Sequence, residues 1–465
     1  MFIQTFFDEN LAQNSYMAGC QKTGEAIVID PARNVQPYLE TARKNALHIT
    51  KVTETHIHAD FLSGSRELIH ETGASLFLSN EGNDEWKYNF GKKESHEWLK
   101  DGDQLYVGGV RLDVLHTPGH TPESLSFILT DEGGGASVPM GIFTGDFVFV
   151  GDVGRPDLLE KSIGAAGTAK LGARAMYQSL NRFKKLPDFV QVWPGHGAGS
   201  ACGKSLGAVP SSTIGYEKQT NWALNVEKED EFVNMLIAGQ PEPPAYFPIM
   251  KKLNKEGPAL LAEDQELQEI RLEEISRFKG SIVDTRSKEE FAEGHLQGSI
   301  NIPFNKSFVN WAGWLLPYHQ DAVVIANKDE ALEIRRTLQS IGFDSLTGYL
   351  PTEKVDKLTD LERYETVTVG EFEDKRGSEE YVVIDVRNQS EWDEGHIDGA
   401  IHIMLGTLPH RLDEIPSGKV PIVHCKSGAR SAIAASILQA NGFNKVINVS
   451  GGYDAWIKHK QTAKA

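Results

Sequence analysis

A chain of 465 residues is too long for one ordinary core, so roughly two to four domains are expected. Lys and Arg number 47 against 65 Asp and Glu, and the net charge of −18 excludes nucleic acid as a general partner while leaving room for a local basic pocket. Three dispersed cysteines (Cys20, Cys202, Cys425) exclude a disulfide framework and point to a reducing compartment, and no apolar stretch nears the ~20 residues of a membrane span.

The first 240 or so residues alternate short apolar strands with helical segments. Met1–Asp8 lacks a basic start followed by a long apolar run, so no signal peptide is expected and the cytoplasm is the expected location. Cys20 sits in a strand-like apolar context and reads as core. The β-branched run Ile49–Thr53 leads into Thr55-His56-Ile57-His58-Ala59-Asp60-Phe61, with a helix expected over Leu62–Thr72. Two imidazoles and a carboxylate within five residues at a strand's end are the donor types that divalent first-row metals prefer. Three more such segments follow: His116-Thr117-Pro118-Gly119-His120, Phe143-Thr144-Gly145-Asp146 and Trp193-Pro194-Gly195-His196. Glycine beside each candidate ligand lets the backbone turn sharply there. The residues alone leave open which of His56 and His58 binds a metal.

Those four segments in that order resemble the metallo-β-lactamase superfamily, whose HxHxDH signature ends in a second-metal histidine. Phe61 stands at that position and coordinates nothing; its structural alternative is a core aromatic. Within the superfamily, residues 1 to about 240 look most like persulfide dioxygenases, including the segment Gly151-Asp152-Val153-Gly154-Arg155-Pro156-Asp157. The resemblance implies an N-terminal αββα sandwich and one Fe(II) per chain, held by His56, His120 and Asp146 as a facial triad with open positions. It makes His58, Asp60 and His196 outer residues that orient the ligands or tune the substrate. Arg155 then either contacts the substrate's carboxylate or forms an internal ion pair with Asp157. Cys202, six residues past His196, either takes up a sulfane sulfur or is a small buried thiol.

Pro241-Glu242-Pro243-Pro244, Pro248 and Gly257-Pro258 form a breaker-rich connector where the first domain is expected to end. Beyond it the chain repeats. Ile282-Val283-Asp284-Thr285-Arg286 with Gly294-His295 recurs as Ile384-Asp385-Val386-Arg387 with Gly395-His396, and both Asp284 to Asp385 and His295 to His396 span 101 residues. Two tandem α/β domains with parallel sheets follow from this register. The expected domains are 1–245, 262–355 and 364–465.

In the second copy a buried strand, Val420–His424, runs into Cys425-Lys426-Ser427-Gly428-Ala429-Arg430 and then a helix. A loop wrapped on a helix N-terminus aims N–H groups at one point and favours an anion there, so Cys425 is expected as a ready thiolate. This resembles the active loop of rhodanese sulfurtransferases. Cys425 and Arg430 are then catalytic, with Lys426, Ser427, Gly428 and Ala429 around the transferred sulfur. Related phosphatases use a loop one residue longer, so this one suits a terminal sulfur. In the first copy Asn327 is placed opposite Cys425 and Leu332 opposite Arg430, so that domain reads as inactive.

The full order resembles fused persulfide dioxygenase–sulfurtransferases of sulfide detoxification. As the resemblance implies, a low-molecular-weight thiol persulfide and O2 give sulfite, and Cys425 passes a second sulfane sulfur to sulfite, making thiosulfate. The implied assembly is a homo-oligomer, dimer or tetramer, with no membrane partner. A zinc thioester hydrolase of the glyoxalase II kind is the alternative enzyme; a sulfur-carrier protein is the alternative of another class.

Overall fold

Six strands, taken in chain order from Phe2–Asp8 through Gln13–Cys20, Glu25–Ile29, His48–Thr53 and Ser75–Ser79 to His96–Leu99, make the first sheet of the computed structural model. The model describes residues 1–90, 94, 96–163, 167–204, 206–261 and 266–462. The first two pairings are antiparallel and the next three parallel. A second six-stranded sheet runs from Gln104–Val107 through Val110–His116, Leu125–Asp131, Gly141–Gly145 and Gln191–Pro194 to Ser212–Thr213. Tyr16, Ile27 and Ile29 of the first sheet pack against Leu112, Phe127 and Phe143 of the second, closing the inner core. Helix Gln36–Lys44 covers the outer face of one sheet and Thr168–Phe183 that of the other, through Tyr38 and Ala42 and through Ala173, Met176 and Leu180. This is the expected αββα sandwich. Cys20 lies in its inner core.

Two details differ from the sequence expectation. The helix after the His56 segment starts at Ser65 rather than Leu62, because the Ser63 amide donates to Asn254 Oδ1 and that of Gly64 to the Pro31 carbonyl instead of entering a helical ladder. The breaker-rich connector contains a ten-residue helix, Phe247–Glu256, that begins with Pro248 in its first turn, where a missing N–H costs nothing. That helix buries Phe247, Met250 and Asn254.

The chain divides into two compact units, and the second, spanning most of residues 264–465, holds two five-stranded sheets. In one the order is Gln268–Glu269, Leu346–Leu350, Ala322–Ile325, Ser281–Asp284, Ile300–Asn301; in the other, Glu365–Val367, Ile447–Val449, Val420–His424, Tyr381–Asp385, Ile401–His402. All pairings in both are parallel. Central strands such as Ala322–Ile325 are buried throughout, as a parallel strand covered on both faces must be. The repeat extends to helix caps. Glu290 accepts the Ser287 amide at 3.0 Å, and Glu391, 101 residues on, accepts that of Asn388 at 3.1 Å. Helix Ala429–Ala440 is buried from Ser431 to Leu438 because the other copy covers its outer side: the Asn301 amide donates to Ser436 Oγ at 2.9 Å. Among the described residues no helix is long and apolar enough to cross a membrane.

Candidate metal centre and thiol loop

Each metal-site segment follows directly on a strand of the sandwich. His56 comes after His48–Thr53, His120 after Val110–His116, Asp146 after Gly141–Gly145 and His196 after Gln191–Pro194. Glycine is required at two of these turns. Gly145 has φ +50°, with Thr55 where a side chain would go, and Gly195 lies 2.7 Å from Asp146 Oδ1 at its missing Cβ.

The structure brings His56, His120 and Asp146 together, all buried, with their donor atoms within 4.8 Å of one another. Asp146 Oδ2 lies 3.9 Å from His56 Nε2 and 3.6 Å from His120 Nε2. His120 Nδ1 donates to the Arg155 carbonyl at 2.8 Å, and His56 Nδ1 lies 3.0 Å from Thr55 Oγ1, whose hydroxyl donates to Asp30 Oδ2 at 2.8 Å. Both rings are thereby set with Nδ1 protonated and an Nε2 lone pair facing Asp146. Burial, and for His56 the neighbouring His58, depress both imidazole pKa values, keeping the rings neutral as a metal requires. Burial works against the charge of Asp146, but the hydrogen-bonded His196 outweighs it and holds the carboxyl well below its usual range. His56 Nε2 and Asp146 Oδ2 have no hydrogen-bond partner among the described groups. Orphaned buried acceptors converging at metal-ligand separations fit one divalent ion.

The geometry separates His56 from His58. His58 Nε2 turns to Asp30 Oδ1 at 3.1 Å, and Phe61, 1% exposed, packs its ring 4.3 Å from that imidazole. Burial opposes a charge on His58, but Asp30, Glu54 and Asp60 raise its pKa to about 9. His196 is occupied on both ring nitrogens: Nδ1 with Asp146 Oδ1 at 2.7 Å and Nε2 with Asp60 Oδ2 at 2.6 Å. Burial resists its charge too, and the two carboxylates outweigh burial and raise it well above the usual histidine value. A second metal beside Asp60 would have to displace that bridge and would still lack a ligand at Phe61.

Cys202 joins Asp60 and His196 in a buried group with donor atoms within 4.8 Å. Burial, then Asp60 and Asp146, push its thiol pKa well up, so it stands as a neutral donor rather than a nucleophile. Of the two roles expected for Arg155, the structure shows the internal ion pair with Asp157. Its fully buried guanidinium forks onto Asp157 through Nε and Nη2, both at 2.7 Å, and donates to the Ala201 and Pro241 carbonyls at 3.2 and 2.6 Å. These partners lock it in the fold, and it is an internal clamp rather than a substrate contact. Asp157→Asn should lower the unfolding temperature markedly, since a buried ion pair broken on one side costs about 3–5 kcal/mol. The Michaelis constant of the folded enzyme should stay put; a raised constant at unchanged stability would restore the substrate role.

Three residues outside the motifs fix the backbone that carries His56 and His58. Asp30 Oδ1 accepts the Thr55 amide at 2.6 Å and Glu123 Oε1 that of Ile57 at 2.8 Å. Asn254, 1% exposed, donates Nδ2 to the His58 and Phe61 carbonyls, each at 2.8 Å, and accepts the Ser63 amide at 2.9 Å. Nothing in the linear pattern marks Asn254, almost 200 residues away; only a buried polar residue on an amphipathic helix hints at it. Asn254→Ala should strand three buried polar groups at about 1–3 kcal/mol each and weaken metal binding roughly 10- to 100-fold. Metal analysis after dialysis, with a melting curve, checks this; wild-type values in both would refute the positioning role.

In the second unit, Cys425 is buried at the end of strand Val420–His424 and its Sγ accepts the Gly428 amide at 3.1 Å, with Ser431 Oγ at 3.6 Å. Gly428, at φ +99°, caps the helix beginning at Ala429, so the loop wraps a helix N-terminus as expected. Lys426 and Ser427 are exposed on the loop. Arg430 is closed bidentately on Glu391, at 2.6 and 2.7 Å, a partner the motif did not reveal. It reaches a ligand only in competition with that carboxylate, which makes it a positioning group in this state.

The sheet register corrects the alignment of the first copy. Asp284 pairs with Ile325 in one sheet and Asp385 with His424 in the other, so Ala326, not Asn327, stands where Cys425 does. The helix of the first copy starts at Lys328, right behind Asn327, against Ala429 behind Gly428. Asn327 therefore corresponds to Gly428, Asp329 rather than Leu332 to Arg430, and the residues matching Lys426 and Ser427 are missing. The first copy lacks both the sulfur and the cradle.

A model of the metallo-beta-lactamase superfamily matches residues 9–196, and one of the rhodanese-like domain matches residues 265–350 and 368–459. The chain is 47% identical to a metallo-beta-lactamase from Staphylococcus aureus subsp. aureus COL, whose 2.1 Å crystal structure it matches with a TM-score of 0.69 over 75% of this chain and 99% of that one. A hydroxyacylglutathione hydrolase from Nitrosococcus oceani is 31% identical over 200 residues, 42% of this chain and 66% of the hydrolase, just under two thirds of its length. ETHE1 from Myxococcus xanthus is 28% identical over 56% of this chain and 94% of its own, with a TM-score of 0.41.

Proposed function

Because the chain belongs to the metallo-β-lactamase superfamily and carries two rhodanese-like domains behind that domain, we propose that it oxidises a thiol persulfide to sulfite with O2 and converts the sulfite to thiosulfate. One observation carries the reading. His56, His120 and Asp146 form a two-imidazole, one-carboxylate face, while Phe61 offers a second metal no ligand and both ring nitrogens of His196 are already taken up by Asp146 and Asp60. That donor set is the one used by non-haem iron oxygenases, and a bound Fe(II) would supply the redox chemistry for placing oxygen on sulfur. The balance is RSSH + O2 + H2O → RSH + SO3²⁻ + 2H⁺.

Around that face the chain's own residues orient and exclude. Thr55 and the Arg155 carbonyl hold the two imidazole tautomers, and His196 holds Asp146 in place from behind. Cys202 and Asp60 form a buried polar wall beside it. In the second rhodanese copy, the Cys425 thiolate attacks the outer sulfur of a persulfide. The new Sγ–S bond forms as the donor S–S bond breaks, RS⁻ leaves with the electron pair, and the Gly428 amide steadies charge on Sγ. Sulfite then takes the outer sulfur, giving thiosulfate and Cys425 as the thiol, with no net change in oxidation state across the two transfers.

The identity with a hydroxyacylglutathione hydrolase favours a second reading, zinc-dependent thioester hydrolysis. Offering one preparation a glutathione thioester and a glutathione persulfide in parallel separates the two. Consumption of the persulfide with O2 and no thioester cleavage is expected, and thioester cleavage alone would reverse the assignment.

A further inference from the structure

The second unit contains a cavity of about 360 Å³ that the reaction above does not use. One wall is the thiol loop, through Ser427 and Gly428, the residue whose amide holds Cys425 Sγ. More of the lining comes from the copy without a cysteine, through Lys288, Glu289 and Glu293 of helix Lys288–Glu293, and from Tyr364 of the following segment, whose hydroxyl donates to the Lys288 carbonyl at 3.4 Å. The volume lies in the range of small-molecule sites, roughly 300–1,000 Å³.

Its chemistry is polarised. Lys288 Nζ pairs with Glu289 at 2.5 Å, so these two charges cancel. Among the described residues no cation pairs with Glu293, which leaves that end of the cavity anionic. Thr366, Ser450 and Asn448 add hydroxyl and amide groups to the lining, and the buried Asn448 Oδ1 has no hydrogen-bond partner among the described groups. The loop end offers N–H groups and a helix N-terminus, which favour an anionic sulfur.

We propose that this cavity binds the carrier portion of the sulfur donor and that it is built for an amino thiol, with a free ammonium toward Glu293 and its persulfide toward Cys425. This rests on the sulfurtransferase half of the proposed function. The inactive copy then acts as the specificity wall of its active neighbour. A phosphorylated carrier without an ammonium meets Glu293 as a like charge. The transfer is that given above: the sulfane sulfur moves to Sγ and the amino thiol leaves as its thiolate.

The test uses the full chain under nitrogen, so that no persulfide is lost to oxidation, with sulfite as acceptor and thiosulfate as the readout. Glutathione persulfide and coenzyme A persulfide are compared as donors in wild type, Glu293→Gln and Glu293→Lys. Thiosulfate-to-cyanide transfer, whose small inorganic donor does not need the cavity, is measured alongside. The wild type should show the lower KM for glutathione persulfide. Glu293→Gln should raise that KM about threefold, the scale of an exposed ion pair, with kcat unchanged. Glu293→Lys should raise it further and lower the KM for coenzyme A persulfide. Unmoved KM values with cyanide transfer intact would overturn the cavity assignment and leave sulfur transfer standing. Absence of cyanide transfer and of persulfide-to-sulfite transfer in the wild type would remove the sulfurtransferase reading and this inference with it.

Discussion

Cys425→Ser should leave oxygen uptake at the wild-type rate while thiosulfate disappears and sulfite accumulates in its place. The substitution is nearly isosteric, and a serine oxygen can accept the Gly428 amide that Sγ now accepts at 3.1 Å, so the loop and its helix keep their geometry. What is lost is the sulfur atom that forms the new S–S bond, for which a hydroxyl has no substitute. The first rhodanese copy cannot compensate, because Ala326 stands at the cysteine's place and the loop is two residues shorter. Quantifying sulfite and thiosulfate in the same reaction mixture decides the matter, and an undiminished thiosulfate yield would end the coupled scheme.

His120→Ala should reduce metal content and oxygen uptake together, by more than about 100-fold. Even the outer partners of metal ligands are worth roughly 10- to 100-fold, and among the described residues His120 supplies one of the three converging donors. His58→Ala is the informative control. His58 Nε2 bonds Asp30 rather than facing Asp146, so its loss should weaken turnover while the protein still carries metal. Metal-free His58→Ala beside metal-replete His120→Ala would exchange their roles.

Much of this could be read from the chain because local chemistry marks it. Short-range patterns such as His56-Ile57-His58 or the six residues from Cys425 to Arg430 place several functional groups on one turn, and the 101-residue register makes the tandem copies visible. The structure then supplies what linear spacing does not encode. Whether His56 or His58 faces Asp146 depends on Asp30 and on the Phe61 ring, both set by tertiary packing. The sequence leaves Arg155 either a substrate contact or a partner of Asp157, and its bonds to the Ala201 and Pro241 carbonyls across the fold favour the second. An offset of 98 places Asn327 opposite Cys425, whereas strand pairing gives 99 up to Ile325 and the helix start gives 101 beyond Asn327. Asn254 and Glu391 leave no mark in the linear pattern for a common reason. Each acts on a site through a hydrogen bond to a residue distant in sequence, and no motif spans that gap.

We propose that one iron, held by His56, His120 and Asp146, serves oxygen chemistry on sulfur. It is tested most directly by adding a thiol persulfide to the full-length protein in an oxygen electrode and measuring iron and zinc in the same sample. The expected result is one metal per chain, oxygen uptake that scales with iron content across preparations, and one sulfite equivalent per O2 consumed once Cys425 is replaced by serine. Zinc at full occupancy with no oxygen uptake would contradict it.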